Sequence, residues 1–262
     1  MYIFIGVVIA AAGIAYAVYQ TKKMNGLNLE IQSIQTSQIA DAKDIVDSLS
    51  QTDPNYRHYV ELKGNAFTKE KVIAPFTGRE VAYYQDTTYA VTEEEERYRD
   101  NDGHEHVRHH KNEEELSHEE SSVTVYVKDS SCPEGICIDM DTFSGCMDLQ
   151  PGCDRMEQKN SDWVRSHNNY FMGFRLPGGR FLGYRLKESI LTFNQPVYIL
   201  GEMYKLGDEY HVGYARLGKK ASKFSYKSED ELVANNESAK KISWLIAVIA
   251  VVIGIFIACF VR

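Results

Sequence analysis

The sequence predicts a mainly β domain, a barrel or sandwich, that carries one short amphipathic helix and is flanked by two transmembrane α-helices. Three observations predict it: Ile242 to Val261 is twenty residues without a charge, Tyr2 to Tyr19 is a second uncharged run, and short strand-like segments separated by turns lie between them. As helices, at about 1.5 Å per residue, the two runs reach about 30 Å and about 27 Å, enough for a bilayer core.

The first run, residues 2–19, has a rival reading as a cleaved signal peptide, with Ala15-Tyr16-Ala17 as the cleavage site. No basic residue precedes it and it exceeds the usual apolar core of a signal, so a two-pass protein is expected. The domain then occupies residues 20–227. Within it, Ile39, Ala42, Ile45, Val46 and Leu49 share one helical face, with Asp41, Asp44 and Asp47 opposite and Thr36 or Ser37 placed to cap the start. A strand is expected from Tyr59 to Lys63, ended or bulged at Gly64, and another over Val81–Tyr84.

From Glu93 to Glu120 the chain is acidic and holds five histidines, His104, His106, His109, His110 and His118. So polar a stretch cannot offset its ordering entropy by burial, and a solvated hairpin extension or a mobile loop is expected. Val123, Val125 and Val127 alternate with polar neighbours and, with Ile136 to Met140, suggest a hairpin. Trp163 to Leu176 reads as strand-like. Pro177-Gly178-Gly179 opens a strand from Arg180 to Leu186, and Val197–Met203 and Tyr210–Arg216 complete the set. Ser228 and Glu231 form a capping box, so residues 228–261 are expected to run as one helix from an amphipathic lead-in into the second span.

The formal net charge of −8 argues against nucleic acid as a partner, because phosphate neutralisation needs a surplus of Lys and Arg. The bilayer is the partner the two runs imply, together with a protein partner the residues do not identify. No phosphate-binding loop, dinucleotide fingerprint, nucleophile elbow or H-E-x-x-H occurs, so no catalytic residue and no cofactor is assigned. Four of five cysteines, Cys132, Cys137, Cys146 and Cys153, are spaced C-x4-C-x8-C-x6-C. Disulfides, a zinc site and free thiols are all open, and the missing C-x2-C knuckle weakens zinc. His106 and His110 with Glu113–Glu115 are a weaker metal candidate than a solvated face. In the spans, Gly6, Ala10, Gly13 and Ala17, and Ala250, Gly254 and Ala258, repeat small residues four apart and are candidates for a helix-packing seam.

The order of these parts resembles the GIDE, or BAM, domain of the mitochondrial, membrane-anchored E3 ubiquitin ligases. The resemblance rests on the Ile39–Leu49 helix followed by VELKGNAF, on IAPFTGREVAYYQ and SVTVYVKDSSCPEGICIDM, and on LGYRLKESILTFNQPVYILGE and KFSYKSEDEL before the last span. It implies a membrane-proximal domain with regulatory or substrate-binding duties. Those ligases carry a zinc-bound RING after the second span, and here Arg262 follows it, so no ligase residue carries over and no ubiquitin transfer by this chain alone is expected. The expected role is an interaction or regulatory module; a platform for a catalyst on another chain and a metal or redox sensor at Cys132–Cys153 are the alternatives. Lys22-Lys23 and Lys240-Lys241 flank the spans on the domain side, which by the positive-inside rule favours a cytoplasmic domain. The cysteine cluster and the mitochondrial relatives point to the opposite side.

Overall fold

Each long apolar run becomes part of one uninterrupted helix in the computed structural model, which describes residues 2–100, 103–216 and 220–260. Val261 and Arg262, at the end of the second run, lie outside the described residues, as do Asn101 and Asp102 within the 93–120 segment. In chain order, α1 (Tyr2–Ser33) leads through β1 (Thr36–Ser37) and α2 (Ile39–Ser50) to β2 (His58–Thr68), β3 (Val72–Ile73), β4 (Glu80–Val81) and β5 (Tyr83–Arg99). Then come β6 (Glu105–Glu120), β7 (Val125–Lys128), β8 (Ile136–Ile138), a 3-10 turn (Met140–Phe143), β9 (Met147–Asp148) and β10 (Gln150–Gln158). The short helices α3 (Asp162–Ser166) and α4 (Asn168–Phe171) precede β11 (Arg180–Leu191), β12 (Gln195–Leu206), β13 (Glu209–Gly213), β14 (Lys223–Ser225) and α5 (Glu229–Phe260). The fold is therefore largely β with two long apolar terminal helices, each long and apolar enough to cross a membrane.

The chain divides into two compact units. Unit 1 comprises Met1–Asn65, Val127–Asp148 and Pro196–Arg262. Its sheet runs β1-β2-β7-β8-β13-β12-β14-β9, and a further β2–β12 pairing closes the central strands into a barrel-like ring. Alternation along β2 and β12 turns Val60, Leu62, Val197 and Ile199 inward, each at most 5% exposed. Gly64 does not end β2. The strand runs through it because a Cβ there would lie 2.6 Å from the Lys128 carbonyl oxygen and 2.7 Å from the Val127 side chain.

The amphipathic helix forms over Ile39–Ser50, but neither Thr36 nor Ser37 caps it. Gln38 stands at the N-cap without a side-chain bond, and the free amides are satisfied from the β7–β8 turn. The Ile39 N–H donates to Asp129 Oδ2 at 2.9 Å and the Ala40 N–H to Ser131 Oγ at 3.0 Å. At α5 the capping box does form: the Ser228 N–H donates to Glu231 Oε2 at 2.8 Å and the Glu231 N–H to Ser228 Oγ at 3.3 Å.

Unit 2 comprises Ala66–Tyr126 and Leu149–Gln195. Its main sheet is ordered β10-β11-β5-β6, and β3 pairs with β4 beside it. The acidic stretch is the hairpin extension and not a mobile loop: β5 and β6 pair from Gln85↔Glu120 to Arg99↔Glu105, and the distal residues are almost all exposed. Trp163–Leu176 is not strand. Trp163, His167 and Phe171 stand four apart, a helical spacing, and Ser161 Oγ caps α3 by accepting the Val164 N–H at 3.2 Å. The two short helices set Phe171 on Tyr184, ring centroids 4.2 Å apart, in a core with Phe76, Val164 and Leu186.

Candidate functional site

In unit 1 the terminal helices form one continuous antiparallel pair. At the apolar end a Cβ on Gly6 would fall 2.2 Å from the Gly254 carbonyl oxygen and 3.2 Å from Ala258 Cβ, so the two backbones touch where only glycine fits. The reverse approach brings Gly254 to Ala10, Gly13 faces Ala250 and Ala247, and Ala17 is fully buried. The seven seam candidates thus lie at or beside one helix–helix contact. Two buried residues were missed there, Ala247 and Ser243.

Beyond the apolar stretch the contact turns polar. Trp244 Nε1 donates to Thr21 Oγ1 at 3.1 Å, Lys240 Nζ to Asn25 Oδ1 at 2.7 Å, and Asn236 Nδ2 to Asn28 Oδ1 at 2.7 Å. Asn28 Nδ2 in turn donates to Glu237 Oε1 at 3.1 Å. The helices then enter the barrel. Ile31, 0% exposed, packs with Tyr198, Leu200 and Leu232, and Leu27, Ile34 and Val233 close around them. Glu30 Oε2 accepts the Tyr59 hydroxyl at 2.9 Å and the Ala221 N–H. Helix α1 therefore extends to Ser33, well past the apolar run, because one face of its polar continuation carries these core residues.

The four clustered cysteines are not brought into one site. Cys153 belongs to unit 2, where its Sγ lies 3.9 Å from the Leu186 carbonyl oxygen; the other three belong to unit 1, and no disulfide joins the described cysteines. Cys132 donates to Glu134 Oε1 at 3.0 Å, with Lys43 Nζ at 3.0 Å from the same oxygen. Burial first, and then the Glu134 carboxylate, push the Cys132 thiol up, and burial does the same to Cys146 and Cys153. Thiols so held are protonated and weakly reactive. The histidines of the ribbon are taken up in surface pairs, His106 with Asp100 at 2.7 Å and His110 with Glu96 at 2.9 Å.

A different constellation assembles on the barrel. The parallel register of β8 and β13 sets Cys137 beside His211, and Asp139 follows two residues after Cys137. One ligand atom from each, a thiol sulfur, a carboxylate oxygen and a ring nitrogen, lie within 4.8 Å of one another, the only such group among the described residues. Asp139 Oδ1 is 2.8 Å from His211 Nδ1, and the Tyr204 hydroxyl donates to Asp139 Oδ2. Burial, reinforced by Asp139, pushes the Tyr204 phenol up to about 12, so it remains a donor. Arg57 stacks on the Tyr204 ring at 3.8 Å and Tyr204 stacks on His211. Sequence reasoning flagged Cys137 alone; Asp139 stands two residues beyond it, and His211 is joined to both only by a strand pairing across more than seventy residues.

A cleft of ≈ 580 Å³ also opens in unit 1, lined by Lys63, Tyr198, Lys227 and the first turn of α5. Its cations are already engaged: Lys63 pairs with Glu229 at 2.7 Å and Lys227 with Asp148 at 3.0 Å.

The class is a barrel-like β unit with two paired helices that are long and apolar enough to cross a membrane, an arrangement that fits a membrane-associated protein. The family model GIDE, described as E3 Ubiquitin ligase, matches residues 93–260. The chain belongs to the GIDE family. No curated protein and no solved structure shows significant similarity to it.

Proposed function

We propose that this GIDE-family chain is a two-pass integral membrane protein whose helix pair holds unit 1 at a fixed height over the bilayer as an interaction or regulatory module. The observation that carries this is the continuity of α1 and α5. The helices that touch at Gly6 and Gly254 are the same ones that bury Ile31 and Leu232 in the barrel. The apolar runs cover a bilayer core, and the stretches 20–26 and 234–241, about seven or eight residues or roughly 10–12 Å each, lead from it to the residues packed on the barrel. That stalk is cross-tied by Asn25–Lys240 and Asn28–Asn236. An isolated pair of spans would leave its cargo free to swivel, whereas a stalk packed into the domain core transmits orientation. On the charge rule, Lys22-Lys23 and Lys240-Lys241 favour a cytoplasmic domain.

Transfer chemistry is not part of the proposed role. A RING needs about eight zinc ligands in a cross-brace, and the cysteines of these residues are divided between the two units. Reconstituted with ubiquitin-activating and ubiquitin-conjugating enzymes and ubiquitin, the chain is expected to form no conjugates above the control without it. Conjugates that depend on the chain would overturn the non-catalytic role. Resistance to alkaline carbonate extraction tests the anchoring independently, and release into the supernatant would overturn that part. Impermeant maleimide labelling of a cysteine placed at exposed Glu70 in intact and opened vesicles reports the side.

A further inference from the structure

We propose that Cys137, Asp139 and His211 bind one zinc-class divalent cation. The donor set is one soft sulfur, one borderline imidazole nitrogen and one carboxylate oxygen, which suits zinc and disfavours magnesium or calcium, whose sites are built from oxygens. The spacing fits. A tetrahedral ion at about 2.3 Å from sulfur and about 2.0–2.1 Å from nitrogen and oxygen needs its ligand atoms roughly 3.3–3.7 Å apart. Here all three lie within 4.8 Å of one another. The 2.8 Å contact between Asp139 Oδ1 and His211 Nδ1 has to open by roughly half an ångström for both to face the ion.

Charge also balances. Binding exchanges the Cys137 thiol proton for the metal, S–H + M²⁺ giving S–M⁺ and a released H⁺. Thiolate and carboxylate then neutralise the ion, which suits the partial burial: side-chain exposure is 23% at Asp139 and 12% at His211, and Cys137 is 8% exposed. The exposed side of Asp139 leaves an approach from solvent. Tyr204, donating to Asp139 Oδ2, fixes the carboxylate as outer-shell partners of metal ligands do, and Arg57 holds the Tyr204 ring in place. None of these residues belongs to the helix pair, so the site stands or falls apart from the anchoring role.

The full-length chain in detergent is titrated with Co²⁺ and then Zn²⁺. A single equivalent of cobalt should give a thiolate-to-cobalt charge-transfer band that zinc displaces. Cys137→Ser should abolish the band, Tyr204→Phe should weaken binding by about tenfold, and Cys132→Ser, Cys146→Ser and Cys153→Ser should retain it. A second measurement needs no variant: zinc should slow alkylation of Cys137 in the native wild-type chain, read by peptide mapping against Cys146. A wild-type chain without the band, a band that survives Cys137→Ser, or Cys137 alkylated equally fast with and without zinc would each overturn the site and leave a plain His–Asp pair beside a buried thiol.

Discussion

Unit 1 and unit 2 solve the same problem, ordering a β-rich chain with few prolines, by different means. Unit 1 closes strands into a ring and seals it with two helices, and its buried carboxylates are answered. Glu61, 1% exposed, accepts Thr36 at 2.6 Å and Tyr198 at 2.8 Å. Unit 2 relies on an aromatic box and an open sheet, and it tolerates one only half answered, by the Tyr170 hydroxyl at 3.3 Å from Asp86 Oδ1. Asp86, also 1% exposed, has Oδ2 without a hydrogen-bond partner, and Glu119 stands directly opposite on β6. Burial and then that like charge push the Asp86 carboxyl up to about 7. Unit 1 is therefore the part built to hold a fixed shape. Unit 2 keeps a strained charge at its centre and sends a long solvated ribbon outward.

The sharpest way to break this comparison is to empty each core separately. Phe171→Ala should cost unit 2 about 3–5 kcal/mol and Ile31→Ala should cost unit 1 about 2–5 kcal/mol. Hydrogen exchange read by peptide should show protection lost first in the unit that carries the substitution; equal loss in both would mean that the chain unfolds as a single block. The next effect is in pH dependence. Asp86 binds its proton more tightly folded than unfolded, so its contribution to stability is present at acid pH. It is lost as pH rises from the ordinary 3.8 through about 7. This slope should amount to roughly 2–4 kcal/mol, and Asp86→Asn should flatten it in melts taken from pH 4 to 8. An unchanged slope would remove Asp86 as its source. The smallest effect belongs to the ribbon. Replacing residues 94–110 with Asn-Gly, which joins the cross-strand pair Glu93 and Lys111, should alter stability by no more than about 0.5 kcal/mol. A melting shift like that of Phe171→Ala would show that the ribbon packs.

Local chemistry made much of this legible in the sequence, and distance hid the rest. The Ser228–Glu231 box and the Val125–Val127 alternation act within a few residues, and each predicted its element; the polarity of 93–120 predicted exposure and left hairpin and loop both open. The cap of α2 did not, because Asp129 and Ser131 arrive from about ninety residues away. Trp163–Leu176 misled because aromatic residues favour strands on average, while the four-residue spacing of Trp163, His167 and Phe171 carried the helical signal. The first helix was expected to stop near Tyr19, where its apolar run ends. Leu27 and Ile31 continue a face whose partner, Leu232, lies two hundred residues on. His211 could have been suspected only from the topology that sets β13 beside β8; Asp139 stands two residues from Cys137, but that pair alone makes no site.

The central claim is that the two spans pack as one antiparallel pair that orients unit 1. Single cysteines at Gly6 and at Ala258, in a Cys259→Ser background in native membranes, test it directly, because the Gly6 position lies 3.2 Å from Ala258 Cβ. Oxidation should give a crosslink within one chain, and Gly254→Ile, which forces bulk against the Gly6 carbonyl oxygen, should abolish it. Crosslinks only between chains, or none along the Gly6–Ala258 register, would contradict the account.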